Sequence, residues 1–212
     1  MKYLVYVMLA FFVLISMVPT TSAETVGVED FHPIQADMRI TFKYIVGHII
    51  KDDNPWNLSV VKSSFPESLT YTWVRPQDEE EDLTGTRILT DLKYSRSFNP
   101  WYKTNESKAT NDTAPWISQA VLQELREKGT AANFREGGLG ALNWVAKSLE
   151  VEERLVFPLM INGKPEAIHA LKLNRGLIVW NNMNNPLVLE YEPLAVPLLT
   201  SITGWKVKEI NY

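Results

Sequence analysis

Alternating apolar and polar positions along much of the chain predict a strand-rich protein. Between residues 38 and 48, apolar side chains recur at every second position, which is the period of a strand that buries one face. The segment 69–74 alternates in the same way between large apolar residues and threonines. Weaker runs of the same character predict further strands at 58–63, 142–147 and 205–210.

A hairpin is predicted in the second half of the chain. The apolar runs 155–161 and 166–173 are separated by Asn162-Gly163, a dipeptide typical of two-residue hairpin turns. Pro158 places part of the first strand at a sheet edge or a bulge, because proline cannot donate a ladder hydrogen bond. We therefore expect consecutive antiparallel strands rather than strand–helix–strand units.

Polar stretches predict the connections. An asparagine-rich turn at 181–185 joins the apolar runs 177–180 and 187–191, which we expect to pair. Other polar clusters predict turns or loops at 51–55, 77–85 and 99–112.

The most helix-like segment is residues 113–128. Thr113 is a suitable N-cap, and Pro115 falls in the first turn, where a missing N–H costs little. Gly129 suits the left-handed residue that follows a helix. A shorter helix, capped by Thr90, is predicted over 90–98. One face of the longer helix is apolar at Ile117, Ala120, Val121 and Leu125.

These elements predict an α+β, strand-rich fold. We expect one curved antiparallel sheet or an open barrel, with the helix of about 113–128 packed against it. Residues 24–212 are long enough to form one globular domain with its own core. Within that domain, about 86–129 is predicted as a helical insertion between two groups of strands.

The start of the chain has the pattern of a cleavable secretory signal peptide. Lys2 precedes an apolar run over 3–18, and small residues follow up to Ala23. We expect cleavage after Ala23 and a periplasmic or secreted mature protein. The alternative is an uncleaved anchor, but the sixteen apolar residues would span about 24 Å as a helix, less than a hydrocarbon core of about 30 Å. The mature chain has no second long apolar run, so no integral membrane span is expected there.

Composition narrows the function classes. The formal net charge is −4, which makes nucleic acid a poor candidate partner, because its phosphates call for a basic surface. The chain has no cysteine, which excludes thiol catalysis, disulfide exchange and thiolate metal sites. Small secreted animal domains usually carry disulfides, so this composition fits a bacterial cell envelope better.

No familiar catalytic or metal-binding motif is present. The sequence lacks G-x-S-x-G, S-x-x-K and H-E-x-x-H, and we interpret His32, His48 and His169 as structural or solvent-facing. The alternative is a zinc site formed by all three histidines, brought together by the fold. The acidic run 78–82 lacks the spacing of a calcium loop and is interpreted as a solvated loop tip. The glycines of 137–140 are interpreted as a turn or hinge rather than a phosphate-binding loop. We expect no metal and no cofactor.

Tryptophan is unusually frequent, with seven in the chain. Aromatic faces bind sugars and apolar groups, and they also build cores. Trp56 and Trp101 each stand beside a proline in a polar stretch, and we predict them as binding platforms, with local Trp–Pro packing as the alternative. Trp73, Trp144 and Trp180 are predicted to be core residues.

Three functional hypotheses follow. The first is an exported, non-catalytic binding domain of the bacterial envelope whose ligand is an apolar small molecule, a glycan or an envelope protein. The second is a secreted hydrolase that acts on a glycan through two carboxylates, which leave no local signature in a sequence. The third is a structural or assembly component of the envelope, which would present a sheet edge or an apolar patch.

Overall fold

Twelve strands and one α-helix are present in the part of the chain that the computed structural model describes, residues 31–46, 49–76, 81–100, 107–137, 146–192 and 202–212. The helix α1 spans Gln119–Lys128, and a 3₁₀ turn spans Asn174–Gly176. No helix among these residues has the length and apolar character needed to cross a membrane. The strands are β1 (Arg39–Val46), β2 (Ile49–Ser64), β3 (Ser68–Arg75), β4 (Leu83–Leu89), β5 (Ser97–Phe98), β6 (Ser107–Thr110), β7 (Thr130–Glu136), β8 (Lys147–Ile161), β9 (Lys164–Leu173), β10 (Leu177–Trp180), β11 (Val188–Tyr191) and β12 (Ile202–Asn211).

All twelve strands belong to one large curved sheet, in the order β5-β7-β8-β9-β10-β11-β12-β1-β2-β3-β4-β6. The strand-rich α+β prediction is therefore confirmed. Most neighbours are antiparallel, but β4–β6, β5–β7 and β8–β12 are parallel, so the sheet is mixed. The β8–β12 pairing joins Met160 to Glu209 and Ile161 to Ile210. It closes β8, β9, β10, β11 and β12 into a ring of paired strands.

The predicted hairpins are confirmed. At the turn between β8 and β9, Asn162 and Gly163 have φ angles of 50° and 72°, the left-handed conformation that this dipeptide favours. Strands β10 and β11 pair across the asparagine-rich turn. Pro158 lies opposite Ala167, in a stretch of β8 that pairs with β9 alone among the described strands. Its edge position agrees with the prediction.

The helix is shorter than the sequence pattern predicts. It begins at Gln119, and the Ser118 side chain accepts a hydrogen bond from a backbone N–H of the first turn. Thr113, the predicted cap, instead donates its hydroxyl to the Ser97 carbonyl at 3.1 Å. The predicted C-terminus is confirmed, because Gly129 follows the helix with a φ of 72°. Among the described residues of 86–129, the remaining regular elements are strands.

Three local predictions are wrong, and in each case the segment pairs with another strand. Residues 51–55 lie within β2, because β2 pairs with β1 at both ends of this stretch. Tyr44 lies opposite Lys51, and Phe42 lies opposite Trp56. Residues 107–110 form β6 beside β4, where a loop is predicted. The segment 90–98 contains a turn and β5 in place of a helix. In each case tertiary pairing outweighs local propensity.

Several predicted features lie outside the described residues. They are the signal peptide, His48, the acidic residues 78–80, Trp101, Gly138, Gly140 and the strand residues 142–145, which include Trp144.

The core is unusually aromatic. Trp73 and Trp180 are 5% and 4% exposed, so their predicted core positions are confirmed. Trp205 stands at the centre of a run of contacting rings, with its centroid 4.7 Å from Tyr191 and 5.7 Å from Trp56. Rings at these separations add stability beyond the burial of their area.

Candidate binding surface

The two tryptophans predicted as binding platforms occupy different situations. Trp56 is 6% exposed and stacks on Phe42, with the ring centroids 4.2 Å apart. This position favours core packing over an exposed platform. Trp101 lies outside the described residues. Ligand binding by either tryptophan stays a prediction.

The histidines have no shared site in the described part of the chain. Nε2 of His32 lies 3.2 Å from a carboxylate oxygen of Glu166, and the His32 ring stacks on Tyr212. His169 is exposed on β9, and His48 is outside the described residues. Across the described ranges, no group of three or more acidic, histidine or cysteine side chains is arranged to hold a metal ion.

An apolar surface covers the outward side of the β8–β9 hairpin. Phe157 and Leu159 are each 3% exposed and point into the core, so the residues between and beside them point outward. Val156 is 58% exposed and Met160 is 36% exposed. We call this surface the β8–β9 face, and it consists of three exposed cross-strand pairs, Val156 with His169, Pro158 with Ala167 and Met160 with Pro165.

The edge of β8 beside this face is protected. Between Glu152 and Leu159, β8 pairs with β9 alone among the described strands. Pro158 sits in this stretch and has no N–H, and charged residues lie at Glu152, Glu153 and Arg154. Proline and charge on an open strand hinder the addition of another strand. The side chains of the β8–β9 face, rather than its backbone edge, are therefore the element available for binding.

Contacts at the hairpin turn fix the position of the β8–β9 face. The backbone N–H of Tyr212 donates to the Asn162 side chain at 2.8 Å. Glu166, on β9, contacts His32 in the segment before β1. The hairpin is thus attached to both the first and the last described segments. A binding surface gains affinity when it is held rigid before the partner arrives.

Buried asparagines hold the neighbouring segments together. Asn185 is fully buried, and its amide group donates to the His32 carbonyl at 3.2 Å and to the Tyr212 hydroxyl at 3.3 Å. Its oxygen accepts from the Trp116 indole at 2.9 Å. An amide suits this position because it supplies donors and an acceptor together. Asn181, in the same turn, accepts from Arg126 of α1 at 2.6 Å.

A second buried polar cluster surrounds Glu136 at the end of β7. Tyr191 donates its hydroxyl to Glu136 at 2.6 Å, and Arg175 donates to the same carboxylate. Burial raises the pKa of Tyr191, and the negative charge of Glu136 raises it further. Donors already surround this carboxylate, which suits a structural role better than that of a free catalytic base.

The β8–β9 face is missing from the sequence-based predictions, although a signal for it exists. The run 155–161 is apolar on both of its alternating faces, and one of them has to point outward in a hairpin strand. The Glu136 cluster has no such signal, because its members are distant in sequence. Comparison with protein-family models, curated proteins and solved structures finds no match to this chain.

Proposed function

We propose that this protein is a non-catalytic binding domain that acts outside the cytoplasm and recognises another envelope protein through the β8–β9 face. The observation that carries this proposal is the outward exposure of Val156 and Met160 among two prolines and an alanine. Apolar patches with a polar rim are typical of protein interaction sites.

The energetics suit a protein partner. Full burial of an exposed valine or methionine side chain contributes about 1.5–3 kcal/mol. Val156 and Met160 are 58% and 36% exposed, so a partner that covers them gains a part of this and can use them as central anchors. Prolines in the surface lose little side-chain entropy when they are covered. Arg154 is exposed two residues before Val156 on β8 and supplies a charged rim at one end of the face.

Export supports the envelope as the place of action. Lys2, the apolar run 3–18 and the small residues before Ala23 together have the pattern of a signal peptide. The glycan hydrolase of the second hypothesis requires two converging carboxylates, and it stays a prediction that turnover assays on glycans can test.

Site-specific photocrosslinking in the native host tests the proposal. A photoreactive residue replaces Ala167 in the β8–β9 face, and a second variant carries it at Val61, which is 56% exposed on β2. We expect a discrete crosslinked envelope protein from position 167 and none from position 61. Equal crosslinking at both positions would argue against the β8–β9 face.

Affinity measurements with the purified partner complete the test. We expect Val156→Asp to weaken binding by more than about tenfold, which corresponds to about 1.4 kcal/mol. Val61→Asp is the matched control and should leave the affinity unchanged. The proposal fails if the two variants bind alike while both keep the thermal stability of the original protein.

A further inference from the structure

Two polar side chains share one end of the inner face of the sheet, the side that carries the core. Tyr44 is on β1, two residues after the buried Phe42, and it packs against the core. Arg75 is the last residue of β3, two residues after the buried Trp73. Because side chains two apart on a strand point to the same side, both Tyr44 and Arg75 lie on the inner face.

Electrostatics and strand register place the two groups near each other. Burial raises the pKa of the Tyr44 hydroxyl, and the positive charge of Arg75 opposes that rise. Strand β2 lies between them, and its Trp56 pairs with Phe42 on one side and is next in register to Arg75 on the other. The backbones of β1 and β3 are therefore about 10 Å apart, a gap that the two long side chains can approach from both sides.

Neither group uses its hydrogen-bonding capacity within the described part of the fold. The hydroxyl oxygen of Tyr44 is buried and has no hydrogen-bond partner there. Arg75 is half-buried and forms no ion pair or hydrogen bond with any residue that the structure describes. A buried hydroxyl without a partner costs free energy that a bound acceptor would restore. The unengaged hydroxyl and the unengaged cation are separate observations, and both call for an acceptor.

Other arginines of the fold show what Arg75 lacks. Arg87, Arg96 and Arg175 are likewise buried or half-buried, and each of them contacts the carboxylate of an aspartate or a glutamate. A carboxylate brought by a ligand would give Arg75 the same type of partner. A planar guanidinium can donate two parallel hydrogen bonds to a carboxylate, which makes this a strong and specific contact.

An apolar surface adjoins the two polar groups. Trp56 and Trp73 are 6% and 5% exposed, and the half-buried Leu83 lies opposite Arg75 on β4. Small-molecule sites typically combine such apolar surface with a few convergent polar groups.

The charge at this position discriminates between ligand classes. One guanidinium balances one negative charge, so a carboxylate leaves no net charge behind. A phosphate dianion would leave a charge uncompensated in a half-buried setting, and a neutral ligand would leave the cation so.

We propose that Tyr44 and Arg75 bind the carboxylate of a small organic acid whose apolar body lies against Trp56 and Leu83. Arg75 donates two hydrogen bonds to the carboxylate, and the Tyr44 hydroxyl donates a third. This site is apart from the β8–β9 face and does not depend on a protein partner.

Isothermal titration calorimetry of the purified protein tests the ligand class. The probes are octanoate and benzoate, with octan-1-ol, benzyl alcohol and inorganic phosphate as comparisons. We expect saturable binding of at least one acid, at least about tenfold tighter than its alcohol, which corresponds to about 1.4 kcal/mol. Inorganic phosphate should bind more weakly than that acid.

Variants of the two polar residues test the site itself. Arg75→Gln should weaken binding of the acid by more than about tenfold, and Arg75→Lys, which keeps the charge but not the paired donors, should fall between. Tyr44→Phe should weaken it about fivefold. Arg39→Gln, at an exposed position at the start of β1, is the matched control and should bind as the original protein does.

Thermal unfolding without ligand separates binding from folding. Tyr44→Phe should keep or raise the Tm, because the hydroxyl that it removes has no partner in the described fold. If Arg75→Gln lowers the Tm, Arg75→Lys and Tyr44→Phe decide the outcome. The proposal is overturned if neither acid binds saturably, if the alcohols or phosphate bind as tightly as the acids, if the Arg75 and Tyr44 variants bind like Arg39→Gln, or if Tyr44→Phe lowers the Tm.

Discussion

The indole N–H of Trp116 donates to the side-chain oxygen of Asn185 at 2.9 Å, across 69 residues of sequence, and both side chains are fully buried. This bond joins the segment before α1 to the turn between β10 and β11. Trp116 and Leu187 also form an isolated bridge between the same two segments. Because water cannot replace a partner at this depth, either group left alone would be a buried, unsatisfied polar group.

Replacement of Asn185 by alanine should therefore destabilise the protein strongly. The variant leaves the Trp116 N–H without an acceptor and the His32 carbonyl without one of its donors. We expect the free energy of unfolding to fall by about 2–3 kcal/mol, measured by urea titration with tryptophan fluorescence. Asn111→Ala, at an exposed position, is the control and should change it by less than about 0.5 kcal/mol. Equal stability of the two variants would contradict the role of Asn185.

Loss of the Arg175 guanidinium should leave a buried, uncompensated charge on Glu136. Arg175 has a φ of 69°, so Arg175→Asn is the suitable change, because asparagine tolerates this conformation. We expect a loss of about 3 kcal/mol in unfolding free energy. Arg135→Asn, at an exposed site on β7, should have little effect. A loss below about 1 kcal/mol in the Arg175 variant would show that Glu136 does not depend on this ion pair.

Stability should fall at alkaline pH because of buried tyrosines. Burial raises the pKa values of Tyr44, Tyr191 and Tyr212 above the ordinary value of 10.0. Below that pH both folded and unfolded states keep these phenols protonated, so their contribution to stability is constant. Above it the unfolded state loses protons first, and the unfolding free energy should fall by up to about 1.4 kcal/mol per pH unit for each tyrosine.

Thermal unfolding between pH 8 and pH 11 measures this effect. Tyr191→Phe should make the alkaline decline shallower, because one of the three phenols is removed. Tyr94→Phe, at a residue that is 64% exposed, should leave the decline unchanged. A flat profile up to pH 11 in the unmodified protein would be inconsistent with buried, neutral tyrosines.

Gly85 should not accept a larger residue. A methyl group at this position would lie 2.6 Å from the indole nitrogen of Trp73, which packs across β4 from the neighbouring strand. We expect Gly85→Ala to lower the unfolding free energy by about 1–3 kcal/mol through overpacking. Thr84→Ala, the adjacent exposed position, is the control. The double variant Gly85→Ala with Trp73→Phe should lose less unfolding free energy than the sum of the two single losses. Gly85→Ala creates a clash with the Trp73 indole, and Trp73→Phe removes the indole that takes part in it.

Local signals in the sequence predict the hairpins but not the long-range closure of the sheet. Asn162-Gly163 determines its turn by itself, because both residues adopt positive φ easily. The start of α1 differs from prediction because Thr113 bonds to Ser97, a contact between segments far apart in sequence. Trp56 has a polar neighbourhood in sequence, yet pairing of β1 with β2 places it on Phe42.

The candidate binding surface could be predicted from local sequence, whereas the buried polar clusters could not. Alternation alone indicates that residues 155–161 are apolar on both sides, so the β8–β9 face could have been predicted from the sequence. The asparagine cluster is visible in the sequence as a turn, but the partners of Asn185 are not.

Strand β12 makes the order of chain synthesis relevant to folding. It is the last described strand in sequence, and it pairs with β1, with β11 and with β8. A nascent chain that has emerged only as far as Tyr191 lacks β12. It therefore lacks the strand that pairs with β1 on the side away from β2, and it lacks the strand that closes the ring onto β8. The ring of strands therefore closes only after the C-terminal segment has been synthesised, whereas the pairs β1–β2, β2–β3 and β8–β9 do not depend on β12.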